Sequence, residues 1–387
     1  MPINKFNKSN WKFFKKNVTE SEFKKALINC AKIAEKAYKR TLEYKKEIEN
    51  IIKELNTNIE NRKKSIKFDN QEFLKEITNF QEGLQNALKD LEEDLKDKGK
   101  HLKVFTITLF GRTKAGKSTL REAISRNGDG STIGLGYLHA TKEVGDYRWK
   151  GLRLVDTPGV EGYGGEREAE KAREVISHTD ILMFLTTDES QQPGEFDEIK
   201  RLIEINKPFF VVLNIKDNLT DPNYLKRFLK GKGNLFNQEI IKEHKQRILS
   251  ETKRIGIHNV KILEISALAA CIAQFAERGF GSSNKENFIA TIKHLQIQKI
   301  VHWILNNLKI KDAHWLWQIS GIEKVYEEIA SEVITRGKQH RVLTFFDSAI
   351  YYINTIAKLL QKQRNDIKTQ AKFMSEKREE LDRLLDR

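Results

Sequence analysis

The residues best suited to chemistry lie in one glycine-rich stretch, Gly111-Arg-Thr-Lys-Ala-Gly-Lys117-Ser118. Its spacing, a glycine, four residues and then Gly-Lys-Ser, is typical of a loop that binds phosphate groups. The apolar residues 104–110 before it indicate a buried strand, and residues 119–125 after it indicate a helix. Such a turn directs backbone N–H groups and the positive end of the helix dipole at one point. The predicted phosphate contacts come from Gly111, Thr113, Lys114, Ala115, Gly116, Lys117, Ser118 and Thr119.

Two further positions complete a predicted magnesium and phosphate site. Lys117 is expected to reach the β- and γ-phosphates, and the Ser118 hydroxyl to bind Mg²⁺. The segment Asp156-Thr-Pro-Gly159 follows an apolar strand. Its aspartate can hold the metal through water, and its glycine N–H can contact the γ-phosphate.

A threonine upstream of this strand is the predicted third magnesium ligand. Thr141 can bind the ion by its hydroxyl and sense the γ-phosphate by its backbone, so that the loop is released after hydrolysis. Thr132, in the glycine-rich residues 128–136, is the alternative for this role.

Residues after two later strands predict recognition of a guanine base. Asn214-Ile-Lys216-Asp217 ends an apolar strand, and the aspartate can accept two N–H bonds from guanine, a donor pair that adenine lacks. Ser266-Ala267 follows another strand and suits a loop whose backbone contacts the base oxygen.

With these four motifs in this order, the chain resembles the Era-like and dynamin-like branch of the translation-factor-related GTPases. The resemblance covers roughly residues 103–268 and resumes at Ser320, in a segment that looks like the last G-domain helix, with a mostly helical insertion at 269–318. It implies GTP and GDP as ligands, Mg²⁺ as the metal, and hydrolysis of the β–γ phosphoanhydride. It also implies homodimer formation across the nucleotide faces.

The chain departs from the family pattern at three positions. Ile215 stands where the family usually has lysine, and Val160 where Ras-like enzymes carry a water-orienting glutamine. Lys114 replaces an asparagine or serine that helps to bind a catalytic K⁺ or Na⁺ in relatives. We hypothesise that its ammonium group takes the place of that cation, the alternative being that it faces solvent. Arg112 and Arg153 are further candidates for the same charge.

Composition predicts a globular intracellular protein with anionic partners. The chain has 387 residues, 39% of them hydrophobic, and a net charge of +15, which favours nucleic acid, an acidic membrane surface or an acidic protein partner. The alternative is that its lysines are spread over exposed helices. Cys30 and Cys271 form neither a disulfide framework nor a metal-spaced set, which favours a cytoplasmic location. No signal core or membrane-spanning run is apparent, so any membrane contact is expected to be peripheral.

Long helices are predicted on both sides of the nucleotide-binding segment. Residues 1–18 form a basic aromatic arm that suits an acidic membrane, a partner, or packing onto its own chain. Heptad spacing and a capping box at Asp69 and Glu72 predict two helices before residue 100 and one after residue 339. Their apolar seams are Leu27, Cys30, Ala34, Ala37, Thr41, Tyr44, Ile48, Ile51 and Leu55; then Phe73, Ile77, Phe80, Leu84, Leu88, Leu91 and Leu95; then Phe346, Ile350, Ile353, Ile356, Leu360, Ile367, Met374, Leu381 and Leu385.

The predicted fold class is α/β, a mainly parallel, helix-covered sheet with an elongated all-α bundle beside it. Predicted strands are 104–110, 143–149, 152–156, 181–186, 209–214 and 261–265, and predicted helices include 165–178, 194–205 and 222–254. The predicted domains are the arm, a bundle from 19–100 and 339–387, and a G domain from 101–338. Coiled-coil pairing between chains is the alternative to the bundle.

Three functions remain open from the sequence. The first is a GTP-hydrolysing switch whose bundle contacts itself, a partner or a membrane surface. The second is an RNA- or ribosome-associated GTPase, which the basic charge allows. The third is a nucleotide-binding scaffold with little hydrolysis, which Val160 allows.

Overall fold

The structure is a computed structural model that describes residues 19–65, 71–112, 114–125, 145–157, 178–187, 208–232, 236–292 and 295–385. The chain divides into two compact units. The first contains residues 1–34 and 101–344, and the second contains residues 35–100 and 345–387. The basic arm at residues 1–18 lies outside the described residues.

The first unit is built on a six-stranded sheet in the order β2-β3-β1-β4-β5-β6. Among the strands that the structure describes, only β2 is antiparallel to its neighbour. The central strands are buried along their whole length, which is why they read as continuous apolar runs. This confirms the predicted fold class and the six predicted strands within one or two residues at each end. The strands are β1 Phe105–Phe110, β2 Gly145–Trp149, β3 Leu152–Asp156, β4 Ile181–Thr187, β5 Phe209–Asn214 and β6 Ile262–Ile265.

Helices cover this sheet and fill the predicted insertion. They are α3 Lys117–Ser125, α4 Pro222–Arg227, α5 Gln238–Arg254, α6 Ala267–Phe280, α7 Lys285–Thr291, α8 Leu295–Asn307, α9 Ile310–Ile319 and α10 Ile322–Thr335. The prediction of one helical stretch at 222–254 was wrong, because a widened π turn at Phe228–Lys232 ends α4 and Asn237 caps a new helix. The helices predicted at 165–178 and 194–205 lie outside the described residues, apart from His178 in a turn.

The last of these helices, α10, makes hydrogen bonds to α3, the helix that follows the phosphate loop. The Tyr326 hydroxyl group on α10 lies 3.2 Å from the carbonyl oxygen of Ala123 and 3.1 Å from that of Ile124, so it can donate to them. Both carbonyls belong to the final residues of the described part of α3. The Tyr326 ring also stacks on Trp149 of β2 at 5.1 Å between centroids.

The beginning of the last helix, α11 Gly337–Leu385, belongs to the first unit. Arg341 is fully buried there and donates to Asp180 at 2.8 Å, beside the start of β4. Its other nitrogen donates to the carbonyls of His101 and Leu102. A buried guanidinium requires such partners, and they hold this turn of α11 against the sheet.

The second unit is formed by α1 Glu20–Ser65 from residue 35, α2 Gln71–Lys100 and α11 from residue 345. The predicted α2 seam is confirmed where it is described, since Ile77, Phe80, Leu84, Leu91 and Leu95 are buried. In α1 the prediction was wrong at one position. Ile52 is buried and Ile51 is exposed, because a straight helix drifts relative to a strict seven-residue repeat.

The predicted seam of α11 was largely wrong. Phe345 and Ala349 are buried, and Ile356 and Leu359 pack against a cluster of Ile52, Phe80 and Leu84. The prediction was right for Ile356, and Phe346 is half-buried beside Tyr44. Five other predicted residues form a stripe of large side chains that are between 40% and 55% exposed: Ile350, Ile353, Leu360, Ile367 and Met374. The side chains of Leu381 and Leu385 lie outside the described part. Among the described residues, no helix is long and apolar enough to cross a membrane.

Candidate functional site

The phosphate loop joins β1 to α3 through two glycines that no other residue could replace without strain. Gly111 has φ 148°, and a Cβ atom there would lie 2.3 Å from the carbonyl oxygen of Leu185. Gly116 has φ 97°, and its Cβ would lie 2.3 Å from Nδ2 of Asn214. Positive φ and close approach of neighbouring groups both demand glycine. The loop is therefore confined from two sides, by β4 and by the end of β5.

Lys117 lies buried at the start of α3, with its ammonium group folded back across the loop. Its Nζ donates to the carbonyl oxygens of Gly111 and Arg112, each at 2.8 Å. These bonds hold the positive charge at the mouth of the loop, next to the N-terminus of α3. Lys114, in contrast, is exposed at the tip of the loop, with φ 65°. Its predicted catalytic role stays a prediction.

The end of β3 brings a carboxylate against the loop. The Ser118 hydroxyl donates to Oδ2 of Asp156 at 2.9 Å. Asp156 is fully buried, and its Oδ1 has no hydrogen-bond partner in the described structure. Burial raises the pKa of Asp156, and the positive charges of Lys117 and Arg121 oppose that shift. A buried carboxylate oxygen without a donor, beside a hydroxyl, fits the oxygen ligands that Mg²⁺ takes in proteins.

Arg121 is part of this site, although no sequence motif singled it out. It is buried on α3, and its Nη1 donates to Oδ2 of Asp156 at 3.0 Å. Its Nη2 donates to Glu122 at 2.7 Å, and its guanidinium lies 4.2 Å from the ring centre of Tyr147. The available signal was spacing, because Arg121 is four residues after Lys117 and so shares its face of the helix.

Asn214, at the end of β5, connects the phosphate loop to the loop after β6. Its side-chain nitrogen donates to the carbonyl oxygen of Ala115 at 2.9 Å. Its side-chain oxygen accepts from the backbone N–H of Ala267 at 3.0 Å. Ser266 caps α6 by accepting from Ala269, so the backbone of this turn is fixed as well. Segments about 100 and 50 residues apart in sequence thus meet at one buried amide.

Asp217 lies three residues further on, with both carboxylate oxygens already accepting hydrogen bonds. Oδ1 accepts from the backbone N–H of Asn218 at 2.7 Å, and Oδ2 accepts from the Tyr224 hydroxyl at 2.5 Å. Ile215 is buried in the core with Phe110 and Leu182 instead of facing the loops, and Lys216 is half-buried. Sequence reasoning missed Tyr224, since no known motif includes it.

The remaining predicted positions are distributed as follows. Thr119 is half-buried in the first turn of α3. Arg112 donates to the Thr187 hydroxyl at the end of β4, at 3.1 Å. Arg153 is buried within β3, three residues and so about 10 Å from Asp156, which makes it less suited to a charge at the phosphates. Thr113, Thr132, Thr141, Gly159 and Val160 lie outside the described residues.

Residues 106–215 match the family model described as 50S ribosome-binding GTPase. This region is a P-loop GTPase domain. The match runs from β1 through Ile215, and so contains the phosphate loop, Asp156 and the first two residues of the predicted base-reading motif.

Relatives among characterised proteins are similar to this chain over about 130 residues. GTPase Der of Pseudomonas fluorescens is 33% identical over 128 residues, covering 30% of this chain and 25% of that protein. GTPase Der of Acinetobacter baumannii is 30% identical over 130 residues, covering 32% and 28%. The chain therefore spans about a quarter of the length of these relatives.

Among solved structures, the FeoB G-domain from Methanococcus jannaschii is 19% identical with a TM-score of 0.26, covering 43% of this chain and 87% of that one.

Proposed function

We propose that the chain binds GTP with Mg²⁺ and hydrolyses it to GDP and phosphate, as a switch whose loops respond to the γ-phosphate. The observation that carries this proposal is the convergence at Asn214, which joins the phosphate loop to the turn at Ser266-Ala267. A chance glycine-rich turn would need no such connection. The proposal includes a cytoplasmic location, which the free and buried thiols of Cys30 and Cys271 support.

On the phosphate side, the loop supplies backbone donors and Lys117 supplies charge. The Lys117 ammonium group neutralises negative charge that develops between the β- and γ-phosphates as the bridging bond breaks. Ser118 and Asp156 would hold Mg²⁺, with Thr141 as the proposed further ligand, and Gly159 would contact the γ-phosphate. When bound, Mg²⁺ would supply positive charge that offsets the negative charge of the phosphates.

The hydrolytic step is attack of water on the γ-phosphorus, which breaks the bond to the β–γ bridging oxygen and releases GDP and phosphate. Lys114 is the proposed source of the charge that K⁺ or Na⁺ provides in relatives. A homodimer formed across the nucleotide faces would be another source of a catalytic group. Either arrangement would compensate for valine at position 160.

A nucleotide titration tests the proposal directly. The purified chain should bind GTP and GDP more tightly than ATP in the presence of Mg²⁺, measured by calorimetry. Lys117→Ala should abolish binding, whereas Lys103→Ala should not, because Lys103 is exposed near the opposite end of β1. Single-turnover hydrolysis then separates a GTPase from a scaffold. The proposal fails if the wild-type chain binds no guanosine nucleotide.

For the second unit, we propose self-association through the exposed face of α11. Four of its apolar residues, Ile353, Leu360, Ile367 and Met374, recur every seven positions, and Ile350 precedes the first of them by three. This is the repeat of a helix that pairs with another helix. The stripe is narrow, whereas a helix that lies on a membrane has a broader apolar face. From Ile350 to Met374 it is roughly 36 Å long. Five half-exposed large side chains contribute about 400 Å² of apolar surface, as much as the largest patch on many monomers.

Oligomeric state tests this part of the proposal. Leu360→Glu should convert a dimer to a monomer in sedimentation equilibrium without nucleotide, because it would bury a charge in the pairing face. Gln361→Glu is the matched control, since it introduces the same charge on the neighbouring exposed residue. A wild-type monomer that binds acidic vesicles through Leu360 would instead support a membrane role.

An RNA- or ribosome-associated GTPase is the second candidate. The description of the matching family and the net charge of +15 favour it. Binding to ribosomal RNA that weakens steeply with added salt would support this candidate. Binding that is absent at low salt would exclude it.

A further inference from the structure

The turn between β5 and α4 is closed on itself around Asp217. Asp221 caps α4 by accepting from the backbone N–H groups of Asn223 and Tyr224, and its own N–H donates to the carbonyl of Asn218 at 3.1 Å. These hydrogen bonds fix the backbone of Tyr224, which lies seven residues after the carboxylate that its hydroxyl contacts.

The orientation of the Tyr224 ring is also fixed by aromatic contacts. It stacks nearly parallel on Phe228, with 9° between ring planes and 6.4 Å between centroids. Phe228 is buried and packs in turn on Trp315 of α9 at 5.3 Å. Aromatic contacts of this kind restrict the ring to one orientation. The hydroxyl is thus presented to Oδ2 of Asp217 by a fixed scaffold.

This arrangement determines which lone pairs of Asp217 are left for a ligand. An ionised carboxylate has two oxygens with about four acceptor positions in total. Asn218 N–H occupies one position on Oδ1, and the Tyr224 hydroxyl occupies one on Oδ2. One position on each oxygen remains, which matches two parallel N–H donors such as those of guanine.

We propose that Tyr224 is a specificity-determining residue that orients the Asp217 carboxylate for the paired N–H donors of guanine. This inference rests on the proposed binding of GTP and identifies how the base is selected. Tyr224 is a positioning residue, because it acts on the base through Asp217. Burial and the hydrogen bond to Asp217 raise the pKa of Tyr224 to about 12, so the hydroxyl remains a donor throughout the neutral range.

The test compares three nucleotides in the wild type and in Tyr224→Phe. ATP lacks the donor pair, and inosine triphosphate lacks the amino group of guanine and keeps the ring N–H. Loss of one oriented, charge-assisted hydrogen bond should weaken GTP binding about tenfold, while ATP binding stays unchanged. The preference for GTP over inosine triphosphate should fall as well, because a freely rotating carboxylate no longer favours two donors over one. Tyr351→Phe is the matched control, since that tyrosine is exposed on α11.

Three results would overturn the inference. The first is a Tyr224→Phe variant whose GTP-to-ATP ratio equals that of the wild type. The second is tighter GTP binding by the variant, which would mean that the hydroxyl competes with the base. The third is a wild type that binds GTP and ATP equally, which would leave the phosphate site intact but remove base reading by Asp217. A wild type that binds no nucleotide overturns the proposed function itself, and this inference with it.

Discussion

Replacing Asn214 by alanine removes the amide that connects the phosphate loop to the turn after β6. Two hydrogen bonds of 2.9 and 3.0 Å are lost, to the backbones of Ala115 and Ala267, and both of those residues are fully buried. Removing the partner of a buried backbone group leaves it unsatisfied, which costs about 1–3 kcal/mol. For two such groups we expect the free energy of unfolding to fall by about 2–6 kcal/mol, and the melting temperature by roughly 5–20 °C.

Tryptophan fluorescence during urea unfolding reports on the first unit, which contains Asn214. The described tryptophans, at 149, 303, 315 and 317, all belong to the first unit. Asn218→Ala is the matched control, because its side chain is exposed and it contributes only backbone bonds to the same turn. That variant should change stability by less than about 0.5 kcal/mol. If Asn214→Ala unfolds at the same urea concentration as Asn218→Ala, the two buried hydrogen bonds do not stabilise the loops as argued.

Three further results are expected. Asp217→Asn should weaken GTP binding and strengthen binding of xanthosine triphosphate, because the carbonyl of that base can accept a hydrogen bond from the new amide. Competition binding measures both effects, and an unchanged preference for GTP would contradict base reading by Asp217. Hydrolysis should not respond to K⁺, and Lys114→Ala should slow it strongly, whereas a K⁺-stimulated wild type rejects the role of Lys114. Burial raises the pKa of Cys30 to about 11 and raises that of Cys271 also, so the folded chain binds more protons than the unfolded one. Stability should therefore be lost as the pH rises from about 9 towards 11, and thiol reagents should react only on unfolding, whereas rapid labelling of the native chain at pH 8 would contradict this burial.

The sheet and the phosphate loop were predictable because their signals are local. Apart from β2, the strands are short and mostly apolar runs, and because they are parallel their carboxyl ends meet at a single edge. Gly111 and Gly116 were predicted as part of a spacing pattern. Their physical reason, close approach by Leu185 and Asn214, depends on contacts that the pattern does not contain.

Residues that act through contacts distant in sequence could not be predicted in the same way. Arg121 reaches Asp156 across 35 positions, and its role depends on the crossing of α3 and β3. Tyr224 is close to Asp217 in sequence, but only the sharp turn capped by Asp221 directs its hydroxyl back to the carboxylate. In each case the residue type alone gives no signal, and the contacts that the fold creates determine its role.

The last helix was partly mispredicted because it carries more apolar residues at helical spacing than its neighbours cover. Phe345, Ala349, Ile356 and Leu359 are buried or packed, whereas the stripe of Ile350, Ile353, Leu360, Ile367 and Met374 is exposed. Both sets have helical spacing, so periodicity alone does not distinguish them. Contact with the cluster of Ile52, Phe80 and Leu84 decides which residues pack.

The hydrogen bonds from Tyr326 to α3 determine how short a fragment of this chain can be while it keeps the contacts around the phosphate loop. The matched family region ends at residue 215, yet the carbonyls of Ala123 and Ile124 are satisfied by a hydroxyl group more than 100 residues beyond it. A fragment cut at the family boundary would lose these hydrogen bonds to the helix behind the phosphate loop, and also the stacking of Tyr326 on Trp149. Anyone trimming this protein for crystallisation or assay should keep the chain at least as far as Thr335.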